Sequence, residues 1–172
     1  VMRSMFLKWR SSTSLYSILG LAVCLVCQLA RAEQPSEASL PVGAGQFSFV
    51  AQDDDPDKVL RVFYIKPERV TPNTPVWFVM HGVNRNAEKY RDNWVELSQR
   101  YRAMVIVPEF NAQSYPGSRA YNLGNMFDKQ GEPMDRSRWS YTVIDRLFDH
   151  VRHREGLKAN GYCLFGHSAG AQ

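Results

Sequence analysis

The chain has 172 residues, room for one domain. Its 44% hydrophobic and 12% aromatic content, with no internal repeat or low-complexity tract, excludes a disordered or fibrous protein. The net charge of +4 is local: Arg3, Lys8, Arg10 and Arg31 lie in the first 32 residues, which hold no acid, and the remaining 17 basic residues balance 17 acidic ones. The charge therefore points to no nucleic-acid or acidic-lipid partner.

The elements follow in chain order. A basic start (Arg3, Lys8, Arg10) precedes an apolar run from Leu15 to Ala30, and Ala30-Arg31-Ala32 offers small residues at the positions a signal peptidase reads. Residues 1–32 are expected to be a secretory signal cleaved after Ala32. The apolar run is short for an uncleaved anchor across about 30 Å of hydrocarbon. Val23 and Val26 stand where a lipoprotein cysteine would need a small neighbour. Cys24 and Cys27 would leave with the signal, so Cys163 is the one cysteine of the mature chain and forms no internal disulfide. Its apolar neighbours predict a small buried hydrophobe.

Residues 33–46 are rich in Pro, Gly and Ser and read as a polar leader. Residues 47–172 carry the fold. Phe47–Ala51 and Val59–Ile65 form a hairpin around the acidic turn Asp53–Asp57. That turn lacks the spacing and glycine of a calcium loop and is expected to be solvated, without metal. Val76–Met80, Met104–Val107 and Tyr162–Phe165 are continuous apolar runs, as strands covered on both faces require. Tyr90, Trp94, Leu97 and Tyr101 recur at helical spacing within 87–101. Val143, Ile144, Leu147, Phe148 and Val151 do so within 141–151. The alternation predicts an α/β fold whose sheet is mostly parallel behind an antiparallel hairpin. The aperiodic stretch from Glu109 to Ser140 contains Tyr115, Tyr121, Phe127 and Trp139, and is expected to be an ordered wall over the strand ends.

Two motifs carry chemistry. Gly166-His167-Ser168-Ala169-Gly170 is G-x-S-x-G directly after an apolar strand. That pattern sets a serine on a strained strand-to-turn corner, its hydroxyl raised from the sheet edge. Met80-His81-Gly82-Val83 closes another strand. A serine attacking an acyl carbon needs N–H donors for the oxyanion, and the N–H groups of Ala169 and Val83 are the expected pair. Gly82 permits the turn, and His81 is read as its organiser rather than as a base.

Together these residues resemble the α/β-hydrolase superfamily, and within it the secreted esterases of the poly(3-hydroxybutyrate) depolymerase-like and feruloyl-esterase group. The likeness spans about residues 59–172. It rests on VWFVMHGVNRNAEKYRDNW, on VIVPEF followed by YNLGN, and on LFGHSAGAQ. It implies an exported, cofactor-free serine esterase that forms an acyl-enzyme on Ser168. The substrate would be a small-molecule or polymeric ester. No nucleic acid would be bound, and no stable membrane association would remain once the signal is removed.

The resemblance also implies the triad order Ser, then acid, then His, yet only Ala169–Gln172 follow the serine. His150 and His153 end a crossover helix and so belong at the opposite sheet edge. His167 is adjacent on a tight turn and points away, and His81 belongs to the oxyanion loop. The triad acid and histidine are therefore expected to be absent from this chain. The chain reads as the N-terminal part of a protein of about 280–350 residues, inactive alone, with Tyr162–Phe165 an exposed edge. Competing readings are a non-catalytic binding protein on a degenerate scaffold, and a serine peptidase or thioesterase of the same fold.

Overall fold

A computed structural model describes residues 37–53 and 55–172. The expected signal sequence, with Cys24 and Cys27, lies outside the described residues. Two long strands, β1 (Gly43–Gln52) and β2 (Asp55–Lys66), form an antiparallel hairpin in which Phe47 faces Val62 and Phe49 faces Leu60. Three strands follow: β3 (Val76–Met80), β4 (Met104–Glu109) and β5 (Cys163–Gly166). The sheet order is β1-β2-β4-β3-β5; β2 meets β4 antiparallel, and β4, β3 and β5 run parallel. This is the predicted mixed sheet.

Alternation explains its two faces. Val76, Phe78 and Met80 of β3, with Met104 and Ile106 of β4, point into the core shared with α4 (Ser140–Arg154). Val79, Val105 and Val107 point the other way, with Ala87 and the half-buried Trp77, Tyr90 and Trp94. Strands covered on both sides cannot alternate in polarity, which is why β3 and β4 read as unbroken apolar runs. The stripe on α4 is buried at every expected position, from Val143 to Val151.

Several expectations need correction. The helix over 87–101 is two helices, α1 (Ala87–Asn93) and α2 (Val95–Tyr101), separated at Trp94 (φ −105°, ψ 1°). Its apolar stripe is not all core, since Leu97 and Tyr101 are exposed while Ala87 and Ser98 are buried. Residues 37–46 of the expected leader belong to the fold, because β1 starts at Gly43 and Leu40 is buried. Leu40 N–H donates to Glu155 (2.7 Å), and its carbonyl accepts from Lys66 Nζ (2.8 Å). The Lys66–Glu155 ion pair (2.6 Å) beneath it is nearly solvent-free.

β5 is exposed along its whole length, and Cys163 is exposed rather than a buried hydrophobe. Among the described residues β5 pairs only with β3, so burial that two neighbours would supply is given by one. Tyr162, just before it, is half-buried against Phe78 and Phe148 and donates its hydroxyl to Asp145 (2.6 Å).

The wall between β4 and α4 is ordered as expected. It contains a short helix α3 (Gly117–Ala120), a narrow hairpin bridged at Phe127 and Pro133, and a 3-10 turn at Arg136–Arg138. Tyr115 and Tyr121 are buried in it; Phe127 is exposed. Among the described residues no helix is long and apolar enough to cross a membrane, and no three His, Cys, Asp or Glu side chains group to hold a metal ion.

Candidate active site

β3 and β5 end level, with Met80 opposite Gly166, so the residues that follow each strand leave the sheet side by side. His167 N–H donates to the Met80 carbonyl (3.4 Å), and Gly170 N–H to the His167 carbonyl (3.0 Å). Between them Ser168 adopts φ +54°, in the left-handed region, and starts the 3-10 turn Ser168–Ala171. Such a conformation costs a non-glycine residue on the order of 1–3 kcal/mol and must be enforced by its surroundings.

The two motif glycines supply that enforcement through space. A Cβ at Gly166 would collide with the Gly170 carbonyl; one at Gly170 would lie 2.6 Å from the Met80 carbonyl and 2.7 Å from that of His81. The elbow thus sits backbone-to-backbone on the end of β3. Ser168 is exposed. Neither the Ala169 nor the Val83 N–H has a partner among the described residues, and Val83 itself is 67% exposed in the Gly82–Arg85 turn. Gly82 lies beneath the Tyr90 hydroxyl, which hydrogen-bonds His167 Nδ1 (2.8 Å).

His81 is fully buried, its Nδ1 against the Gly82 carbonyl (3.1 Å). Its Nε2 accepts the Phe110 N–H (3.1 Å). Acceptance at Nε2 fixes the proton on Nδ1 and leaves no lone pair for a base. Burial, more than any neighbour, lowers the pKa of this ring, against the raising effect of the Gly82 carbonyl, so the neutral form is held.

Two residues that sequence reasoning missed secure this loop. Tyr121 stacks on the His81 ring (4.8 Å) and donates its hydroxyl to the His81 carbonyl (2.5 Å). Arg85, at φ +54°, lies 4.0 Å over the centre of the same Tyr121 ring. It donates to the carbonyls of Phe110 (2.7 Å), Tyr115 (3.3 Å) and Gly117 (3.2 Å). Arg85 thereby ties the turn after β3 to the wall after β4. Arg85 in VNRN and Tyr121 in YNLGN fall inside the stretches that carry the family likeness, but nothing in their spacing reveals the contact.

The remaining histidines stand elsewhere. His150 packs against Phe47 and Phe49 and lies 3.2 Å from Glu37, and His153 Nδ1 contacts the Asp149 carbonyl (2.6 Å). The elbow meets the opposite end of α4: Ser140, Tyr141 and Ile144 share a cavity of about 270 Å³ with Gly166, Ala169 and Gly170. That cavity lies behind the elbow, and Ser168 does not line it. Each of the four histidines contacts other partners, and among the described residues no hydrogen bond joins any of their rings to Ser168.

No family model matches the chain, and no curated protein matches it. Solved structures do. Poly(aspartic acid) hydrolase-1 from Sphingomonas sp. KT-1 is 38% identical over 76% of this chain and 48% of its own, with a TM-score of 0.70. The poly(3-hydroxybutyrate) depolymerase LpqC from Bordetella parapertussis is 31% identical over 75% of this chain and 44% of its own, with a TM-score of 0.67. An acetyl xylan esterase from Aspergillus awamori, 14% identical with a TM-score of 0.55, shares the fold; it is matched over 75% of this chain and 44% of its own. The chain spans just under half the length of these structures. By sheet order, strained serine corner and these likenesses, the chain belongs to the α/β-hydrolase superfamily.

Proposed function

We propose that the parent protein of this chain is an exported serine hydrolase that cleaves carboxylic esters through an acyl-enzyme on Ser168. The observation that carries this reading is the left-handed Ser168, wedged between two glycines against the β3 turn. A strained residue of that kind persists where its side-chain direction matters.

In the proposed mechanism Ser168 Oγ attacks the acyl carbon. A C–O bond forms, the carbonyl electron pair moves to oxygen, and the N–H groups of Ala169 and Val83 hold the resulting oxyanion. The serine proton passes to a histidine and from it to the alcohol oxygen as the oxyanion collapses and the carbon–alkoxy bond breaks. Water then attacks the acyl carbon, the bond to Ser168 Oγ breaks, and the acid leaves as the histidine returns the proton to the serine. With His81, His150, His153 and His167 engaged elsewhere, the histidine and its acid partner come from outside these 172 residues. The 172-residue chain alone is then expected to turn over no substrate. No cofactor takes part.

A second reading, cleavage of an amide in place of an ester, is favoured by the likeness to the poly(aspartic acid) hydrolase. The test is hydrolysis by the parent protein of short-chain esters, feruloyl esters and acidic oligo-amides, each with Ser168→Ala as control. Ester turnover lost in the variant supports the first reading, and amide turnover alone the second. Turnover that survives in the variant overturns both.

A further inference from the structure

A groove of about 290 Å³ lies between β2 and the wall, at the sheet edge where β3, β4 and β5 end. Antiparallel pairing sets Arg61 opposite Glu109, so Lys58 stands just beyond the carboxyl end of β4. The groove has cations from three separate segments: Lys58 of β2, Arg119 of α3 and Lys129 of the hairpin bridged at Phe127. Between them lie the polar Ser114 and Asn125 and an apolar surface that includes Pro116, the 45% exposed Phe127 and the buried Tyr115. The Lys58 ammonium stands 4.8 Å from the centre of the Tyr115 ring.

The cationic segments are held in place. The Arg119 carbonyl accepts the Asn125 N–H (2.9 Å), and the hairpin is closed by Met134 N–H to Met126 O (2.8 Å) and Asp128 N–H to Glu132 O (2.9 Å). Trp139 Nε1 donates to the Met134 carbonyl (2.9 Å) and fixes the hairpin's return. One acid, Asp128, lines the groove, but its Oδ1 already accepts the N–H groups of Gln130 (2.8 Å) and Glu132 (2.9 Å). The wall continues into Tyr121, bonded to His81, and Arg85 links Tyr115 and Gly117 to the turn after β3. Groove and serine corner therefore share one rigid edge.

Cations spaced along an apolar floor suit an organic chain that bears single negative charges at intervals. A guanidinium fork matches a carboxylate in particular. A nucleic-acid strand would need a denser positive surface than a chain whose charges balance beyond residue 32 provides. We propose that this groove binds the carboxylates of an acidic, chain-like ligand of the acidic-peptide or polycarboxylate class, and that it is the subsite that holds such a substrate beside Ser168. The word substrate rests on the serine hydrolase reading; the binding does not.

The test is calorimetric titration of the protein with a short oligo-aspartate, an oligo-asparagine of equal length and a single-stranded oligonucleotide. Salt-dependent binding of oligo-aspartate alone, weakened roughly tenfold by the double charge reversal Arg119→Glu, Lys129→Glu and retained in Arg119→Lys, Lys129→Arg, is expected. The charge-conserving variant separates loss of charge from loss of folding. Ser168→Ala should bind as the parent sequence does, so binding and catalysis fail separately. Equal binding by the reversed variant removes the site, and failure of oligo-aspartate to bind, or equal binding of either other probe, removes the ligand class.

Discussion

The Tyr121 hydroxyl donates to the His81 carbonyl at 2.5 Å while the two rings stack 4.8 Å apart. One wall residue thus fixes both the backbone and the side chain at the start of the turn that precedes Val83. Tyr121→Phe keeps the stacking and removes the hydrogen bond, leaving a buried carbonyl unpaired. A loss of about 1–3 kcal/mol in unfolding free energy is expected from denaturant titration. The rate at which a fluorophosphonate labels Ser168 in the parent protein should fall as well, because the turn is freed. A stability loss with no change in labelling rate would separate the turn from the site.

Val83 is proposed to contribute its backbone and not its side chain, which is exposed. Val83→Ala should leave activity unchanged, whereas Val83→Pro removes the N–H. Loss of one such donor lowers kcat by about 10²–10³. Kinetics on the parent protein, with a melting curve to confirm folding, distinguish the two. Equal activity of both variants would remove Val83 from the oxyanion site.

Gly170→Ala tests the contact between elbow and strand end. Its Cβ would meet the Met80 and His81 carbonyls, which are backbone and cannot rotate away. Overpacking of this kind costs about 1–3 kcal/mol. The melting temperature should fall and Ser168 should lose its reactivity, whereas Gly161→Ala, with open space around it, should do neither.

How much of this was legible in the sequence depends on what sets each feature. The elbow was, because a left-handed serine flanked by close backbone requires glycines at fixed spacing. The covered strands β3 and β4 were, because two-sided burial leaves an unbroken apolar run. The exposed edge expected at Tyr162–Phe165 came from the family resemblance and not from its residues: Leu164 and Phe165 are as apolar as the β3 run, and their 49% and 41% exposure follows, among the described residues, from pairing with β3 alone. The break at Trp94 was hidden because the helical stripe continues through it. Arg85 and Tyr121 were invisible as partners because the contact depends on the path of an aperiodic wall.

Acid should destabilise the fold in two separate windows. Burial lowers the His81 pKa below its ordinary 6.5, and burial likewise lowers that of His150. The unfolded chain therefore takes up protons first, and stability falls as pH drops below about 6.5. Burial works to raise the Glu155 carboxyl, but hydrogen bonds from Lys66, Leu40 and Ser39 prevail and hold it below its ordinary 4.5. Its contribution is full above the unfolded value and lost as pH falls through the lower, folded one. Unfolding titrations across pH should show both phases. His150→Gln should shrink the first and leave the second. Lys66→Met, which strands a buried carboxylate, should cost about 3–5 kcal/mol near neutrality.

The central claim is that Ser168 is the nucleophile. The measurement that meets it most directly is fluorophosphonate labelling of the parent protein, followed by mass spectrometry of the peptide that spans 163–172. A single phosphonyl adduct on Ser168, abolished in Ser168→Ala and far slower in the 172-residue chain, is predicted. An unlabelled Ser168 in folded parent protein, or an adduct on another residue, would contradict it.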